Sequence, residues 1–342
     1  MRKEILEQPI ALAETYQNVI NSATQIQELW AKNNCKRIIT LARGSSANAA
    51  NFAQFIFADL AQIQAQPQSV ELAIDFDSKL DLTGVLAIAV SQSGETKETI
   101  AALTWAKTNG ATTLAISNNP GSTLETIADL AISTIAGKEI AVPATKSYTT
   151  ALMVISTITA ILGDSKTALA ELAGVPQAVS VALEKCEFDS ILKKLKNSKT
   201  MISCGSGFTE NTAIEAALKF RETCYIDAIG ISAAELQHGT KALFEEDETL
   251  LIFTSGLSHR ANSELAVVAQ RATQNSMTPI IFGNLPTSEN FHHIYSDESW
   301  PALVSVFTLI TQAQALVEAL AVARGLDPDS PRNLSKVTQL ES

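Results

Sequence analysis

The chain has 342 residues, 46% of them hydrophobic, with 25 Lys and Arg against 36 Asp and Glu, giving a formal net charge of -11 at pH 7. That length suits about two domains, each with its own core, and the apolar content excludes a disordered chain. The acidic balance leaves no basic stripe for nucleic acid, whereas a few aligned backbone N–H groups can still hold an anionic small molecule.

The chain opens Met1-Arg2-Lys3-Glu4-Ile5-Leu6-Glu7-Gln8, with acid where a secretory signal needs an apolar run. No later stretch stays apolar for about 18 residues, so no membrane segment is expected. Cysteines at 35, 186, 204 and 224 lack CxxC spacing, and histidines at 238, 259, 292 and 293 lack HExxH spacing. No metal and no cofactor are expected, and the chain reads as soluble, reduced and cytoplasmic.

In chain order, 37–42 is a short β-branched strand, followed by the turn Arg43-Gly44-Ser45-Ser46 and a helical segment to about Gln64. A buried strand at 85–90, a helix at 97–109 and a strand at 113–117 follow. A long apolar helix begins near Ser147, and a boundary is expected near 162–165. Helices at 166–173 and 175–186 lead to a second series: strand 199–204, turn Gly205-Ser206-Gly207, helix 210–224, strand 249–254, helix 259–275 and strand 279–283. The doublet His292-His293 reads as ordinary loop polarity. The last long helix covers about 301–324, and beyond Gly325 the run Asp327-Pro328-Asp329-Ser330-Pro331-Arg332-Asn333-Leu334 is broken by Pro into an irregular tail ending Ser335-Lys336-Val337-Thr338. Continuous apolar strands alternating with helices indicate parallel sheets covered on both faces, here twice over. The expectation is two tandem doubly wound α/β domains, 1–163 and 164–325, with a tail at 326–342.

Val90-Ser91-Gln92-Ser93-Gly94-Glu95-Thr96 stands where a buried strand gives way to a helix. Hydroxyls and free N–H donors at a helix N-terminus suit a phosphate monoester, and no GKS or GKT follows to make a Walker motif. The alternative is that Ser93 or Thr96 simply caps the helix. Glu215, Lys219 and Glu222 share one helix face at about 100° per residue. They either move protons between adjacent sugar carbons, the Lys keeping a carboxylate ionised, or form a solvent-facing ion-pair ladder. His238 beside Gly239 is either an acid or base near neutral pH or a structural histidine.

These motifs, in this order, resemble the sugar isomerase (SIS) domain family, and within it the isomerase half of glutamine-hydrolysing glucosamine-6-phosphate synthase. The likeness rests on Ser91-Gln92-Ser93-Gly94-Glu95-Thr96, on Ala136-Gly137-Lys138-Glu139-Ile140 leading to Ala144-Thr145-Lys146-Ser147-Tyr148-Thr149-Thr150, on 215–222 with Thr223-Cys224-Tyr225-Ile226, on Ala234-Glu235-Leu236-Gln237-His238-Gly239, and on Pro331-Arg332-Asn333-Leu334-Ser335-Lys336. It implies two flavodoxin-like SIS domains and a phosphate held by Ser46, Ser91, Gln92, Ser93 and Thr96. It further implies that Glu222 moves a proton between carbons 1 and 2 with Lys219 and Glu215 in support, and that His238 assists ring opening from a neighbouring subunit of a homodimer. Lys336 would approach the sugar carbonyl as an imine-forming amine.

Two positions depart from the family: Ala144 stands where Ser is usual and Gln237 where Lys is usual. The chain also opens without the glutaminase segment of the synthases, so no ammonia source of its own is expected. The implied activity is deamination of glucosamine 6-phosphate to fructose 6-phosphate and ammonium. Deglycation of fructosamine or fructoselysine 6-phosphates, a galactosamine-6-phosphate deaminase/isomerase, or a non-catalytic sugar-phosphate sensor remain as alternatives.

Overall fold

The computed structural model describes residues 1–76, 78–245, 248–256, 259–285 and 291–336; Val337 and Thr338 of the tail lie outside them. The chain divides into two compact units. An N-terminal unit takes in Gln8–Glu139 and Lys146–Ala173, and a C-terminal unit takes in Met1–Glu7, Ile140–Thr145 and Gly174–Lys336.

The N-terminal unit is built on a parallel sheet of β1 (Arg37–Ala42), β2 (Gln64–Pro67), β3 (Val85–Ser91), β4 (Thr112–Ser117) and β5 (Leu130–Ser133), in the order β2-β1-β3-β4-β5. Strands β3 and β4 are buried along their whole length, as the unbroken apolar run at 85–90 requires of a strand covered on both faces. Helix Lys97–Thr108 packs Ala102, Leu103 and Ala106 into one core with Ile39, Leu41, Val85 and Ala87. Helix Lys146–Leu162 is almost wholly buried and packs against Gln8–Asn21.

The C-terminal unit repeats the plan with β6 (Thr200–Gly205), β7 (Asp227–Ser232), β8 (Thr249–Phe253), β9 (Ile280–Phe282) and β10 (His292–Ile294), ordered β10-β9-β8-β6-β7, all parallel. Phe253 and Phe282 are register partners and stack with ring centroids 4.5 Å apart, a pair worth about 0.5–1.5 kcal/mol beyond its buried area. The repeat keeps its spacing closely: β1 begins at Arg37 and β6 at Thr200, β2 at Gln64 and β7 at Asp227. Left-handed Gly44 matches Gly207, and left-handed Gln62 matches Tyr225.

Several sequence expectations are corrected. Residues 166–184 form one helix, Lys166–Glu184, with Pro176 inside it; the ring removes one backbone donor without ending the helix. Strands β2, β5 and β10 are short and were hidden by their composition; β10 takes in His292 and His293, read above as loop. Helix Ala302–Ala323 is long and apolar enough to cross a membrane, although Ser, Thr and Gln interrupt its apolar run. Its most apolar window is 78% buried within the protein, the burial of a core helix.

Candidate active site

In each sheet the chain turns one way from the first strand and the other way from the third, so the crevice at the carboxyl ends of β1 and β3 is the topological switch point of the N-terminal unit. Ala42 of β1 is in register with Val90 of β3, and the segments with the sequence-predicted phosphate residues follow directly. Ser46 lies in the first turn of helix Gly44–Asn51, which Gly44 opens in a left-handed conformation. Ser91 ends β3, and 92–96 form the turn into helix Lys97–Thr108.

That turn is a closed hydroxyl loop. Ser91 Oγ lies 3.1 Å from Thr96 Oγ1 and accepts from the Gly94 N–H at 3.2 Å. Ser93 Oγ accepts from the Glu95 N–H at 3.2 Å. Thr96 occupies the N-cap position, yet its side chain makes no capping hydrogen bond, so the simple capping alternative does not account for it. Free N–H donors, the helix dipole and four polar side chains are what a phosphate dianion needs. Glu95, which would repel such an anion, is tied to Thr123 through N–H and hydroxyl donors at 2.9 and 2.8 Å; these bonds hold its carboxyl below the usual range.

The loop is braced from behind by residues the sequence reading missed. Asn118 N–H donates to Gln92 O at 3.0 Å and Asn119 Nδ2 to Ser93 O at 3.0 Å. The Asn118 side chain accepts from Ala136 N–H and donates to Gly137 O, each at 2.8 Å. The sole signal for them was the turn-forming run Asn118-Asn119-Pro120-Gly121 after β4. Gly94 has φ +67°, and a Cβ there would stand 2.0 Å from Ser122 Oγ and 2.4 Å from Ser122 Cβ. Glu139 fixes the start of helix Lys146–Leu162 by accepting from Ser147 N–H at 3.1 Å and Ser147 Oγ at 2.6 Å.

In the C-terminal unit, helix Glu210–Lys219 follows β6 and continues as a π-helical turn, Phe220–Cys224, that Tyr225 ends with φ +57°. Lys219 Nζ lies 2.5 Å from Glu222 Oε2 and 3.4 Å from Glu215 Oε1. The side chains of Glu215 and Lys219 are 0% and 1% exposed, and Glu222 is 22% exposed. The cluster is therefore not a solvent-facing ladder. Burial by itself pulls the Lys219 ammonium down, and the charges of Glu215 and Glu222 with their hydrogen bonds overcome it, holding the group above the usual lysine value. The π turn is not itself a mark of chemistry, because Phe57–Ala61 forms one at the same place in the other repeat. The informative contrast is at the positions matching 215 and 219, which in the N-terminal unit are Phe52 and Ile56, both fully buried. A fold that buries apolar side chains there has, in this unit, buried two charges, with Glu222 as the carboxylate that reaches water.

Arg324 secures this turn by donating to Cys224 O at 2.8 Å, Lys196 O at 2.9 Å and Leu195 O at 3.2 Å, filling carbonyls that helix ends leave open. The tail docks on the same turn: Arg332 N–H donates to Tyr225 Oη at 2.8 Å, and its guanidinium stands 4.1 Å over the Tyr225 ring. Lys336 Nζ donates to Ala141 O at 2.6 Å. His238 follows helix Ala233–Gln237, is exposed, and no hydrogen bond among the described residues joins it to the Lys219 cluster. Gln237, one of the two departures, accepts from Arg271 Nη1 at 2.9 Å. Among the described residues no group of three His, Cys, Asp or Glu could hold a metal ion.

The chain matches the family model described as SIS domain twice, over residues 33–161 and 194–323. Glutamine--fructose-6-phosphate aminotransferase [isomerizing] of Thermococcus kodakarensis is 33% identical over 363 aligned residues, covering 100% of this chain and 58% of the relative. The C-terminal domain of glucosamine-fructose-6-phosphate aminotransferase from Francisella tularensis superposes with a TM-score of 0.87 at 27% identity, over 97% of each chain. Glucosamine-6-phosphate deaminase from Thermotoga maritima shares the fold, with a TM-score of 0.77 at 22% identity over 99% of each chain.

Proposed function

The chain belongs to the SIS domain family, and on that footing we propose that it is an amino-sugar-phosphate deaminase/isomerase converting glucosamine 6-phosphate and water to fructose 6-phosphate and ammonium. The observation that carries the reading is the buried Glu215-Lys219-Glu222 cluster, in which an ammonium is paired with a partly exposed carboxylate placed where it can exchange a proton with a substrate. The substrate has two features to be recognised, a phosphate and a carbon 1–carbon 2 end, and the chain carries a group fitted to each. Ser46, Ser91, Gln92, Ser93 and Thr96 bind the phosphate.

His238, supplied by a second subunit of a homodimer, protonates the ring oxygen and opens the sugar. Glu222 takes the proton from carbon 2 and returns it to carbon 1, which turns the open-chain 2-amino aldose into the 2-imine of the ketose. Water adds at carbon 2 and ammonia leaves as ammonium, so fructose 6-phosphate remains. Lys336 engages the carbonyl end of the open chain as an amine. Domains at 1–163 and 164–325 with the tail at 326–342 belong to the same reading.

The test is ammonium release from glucosamine 6-phosphate by the purified protein without glutamine, with fructose 6-phosphate followed in parallel. Equal appearance of both products supports the deaminase. Cleavage of a fructosamine 6-phosphate in its stead moves the substrate to the deglycase class, and binding without turnover of any sugar phosphate makes the protein a sensor.

A further inference from the structure

Glu4 is only 5% exposed and belongs to the short helix Arg2–Leu6, far in sequence from every group assigned to the reaction. Its Oε1 accepts from two successive backbone N–H groups, those of Ile140 and Ala141, the latter at 3.2 Å. The next peptide group in the same segment is held entirely by the C-terminal tail. Its carbonyl, Ala141 O, accepts from Lys336 Nζ at 2.6 Å, and its N–H, on Val142, donates to Asp329 O at 2.9 Å. The segment therefore has a carboxylate anchoring one pair of donors and the tail seated on the adjoining peptide. Its side chains do not do this work alone, because Ile140 is 69% exposed. A carboxylate taken out of water to accept two N–H groups makes charge-assisted bonds that set the plane of the backbone it holds.

We propose that Glu4 is a positioning residue for Lys336: by fixing the peptide groups at 140–141 it sets the direction of the Ala141 carbonyl, and so the place of the Lys336 amine. This rests on the reading of Lys336 as an imine-forming amine. In that step the deprotonated ε-amine adds to carbon 2 of fructose 6-phosphate, the carbinolamine loses water, and an iminium results. A displaced amine reacts more slowly even when every catalytic atom is present, since an error of about 1 Å in placement costs up to about a hundredfold.

The experiment is trapping of that iminium by sodium cyanoborohydride, whose hydride reduces it to a secondary amine detected by mass on the peptide containing Lys336. Glu4→Ala, Glu4→Asp and Glu4→Gln are compared with wild type at saturating fructose 6-phosphate, with the thermal midpoint as a control for folding. Glu4→Ala should trap at least about tenfold more slowly. Glu4→Gln, which keeps an acceptor at the same reach, should stay within about threefold, and Glu4→Asp, one methylene short, should fall between them. If Glu4→Ala fails to fold, the order of Gln above Asp still decides. Trapping in Glu4→Ala at the wild-type rate, or Asp retained while Gln is lost, would overturn the assignment. Wild type that releases ammonium yet never traps at Lys336 would show that the amine reading itself has failed, and the positioning role with it.

Discussion

Replacing Lys219 by Met removes the cation between two carboxylates while keeping a long side chain, and the repeat shows that the fold accepts an apolar residue there, since Ile56 fills the matching place. Glu215, 0% exposed, loses its buried cation, whereas Glu222 at 22% exposure can draw on water. Breaking a buried pair in this way costs about 3–5 kcal/mol, most of it here from Glu215. With a urea dependence of about 1–3 kcal/mol per molar, the unfolding midpoint should fall by about 1–5 M at pH 7.5. In the variant the stranded carboxyl is favoured in its neutral form, so the folded state binds a proton more readily than the unfolded one. Stability is then greatest below the unfolded Glu value of about 4.3 and declines as pH rises, so the deficit should shrink at pH 5. Adding Glu215→Leu, which reproduces the apolar pairing of Phe52 and Ile56, should recover most of the loss. A single variant as stable as wild type at pH 7.5, or a double variant less stable than the single, would refute the view that this cluster is a desolvated ion network. In wild type the dependence has the same sign but lies at much higher pH: Lys219, held above its ordinary value, stabilises fully below about pH 10.4 and loses that contribution as pH climbs through its folded pKa.

Gly94→Ala forces a Cβ against Ser122 and a left-handed φ on an L residue, so it should raise KM for the sugar phosphate at least about tenfold while the far-UV spectrum stays native. Ser93→Ala with Thr96→Ala should raise KM more than it lowers kcat; an unchanged KM would dissociate the loop from phosphate binding. The four cysteines are free, and burial pushes the thiols of Cys204 and Cys224 up to about 12 and that of Cys186 up to about 11. A thiol reagent at pH 7 should therefore label the native protein slowly and urea-unfolded protein fully, with Cys186 reacting before Cys204 and Cys224 as pH rises.

The strands that carry the site were legible because each is a continuous apolar run. Strand β1 coincides with the sequence reading at 37–42, and β3 begins at Val85 as read. Edge strands such as β2, Gln64-Ala65-Gln66-Pro67, carry no such run because one side of an edge faces water. The spacing of 215, 219 and 222 was enough to place three charges on one face, but whether that face meets solvent is decided by packing across the fold, which periodicity does not report. Comparison with Phe52 and Ile56 one repeat earlier would have settled it from sequence. Contacts such as Glu4 with Ile140, or Gly94 against Ser122, join residues far apart in the chain and leave no local trace.

The most direct test of Glu222 as the proton carrier is hydrogen exchange at carbon 1 of fructose 6-phosphate in deuterated water, followed by proton NMR without ammonia. It asks for the proton transfer alone and does not depend on which amino sugar is the natural substrate. Wild type should wash solvent deuterium into carbon 1, and Glu222→Gln should lose that exchange by at least about a hundredfold with substrate affinity near wild type. Exchange at the wild-type rate in Glu222→Gln, or none in wild type with substrate bound, would remove the carboxylate from the chemistry.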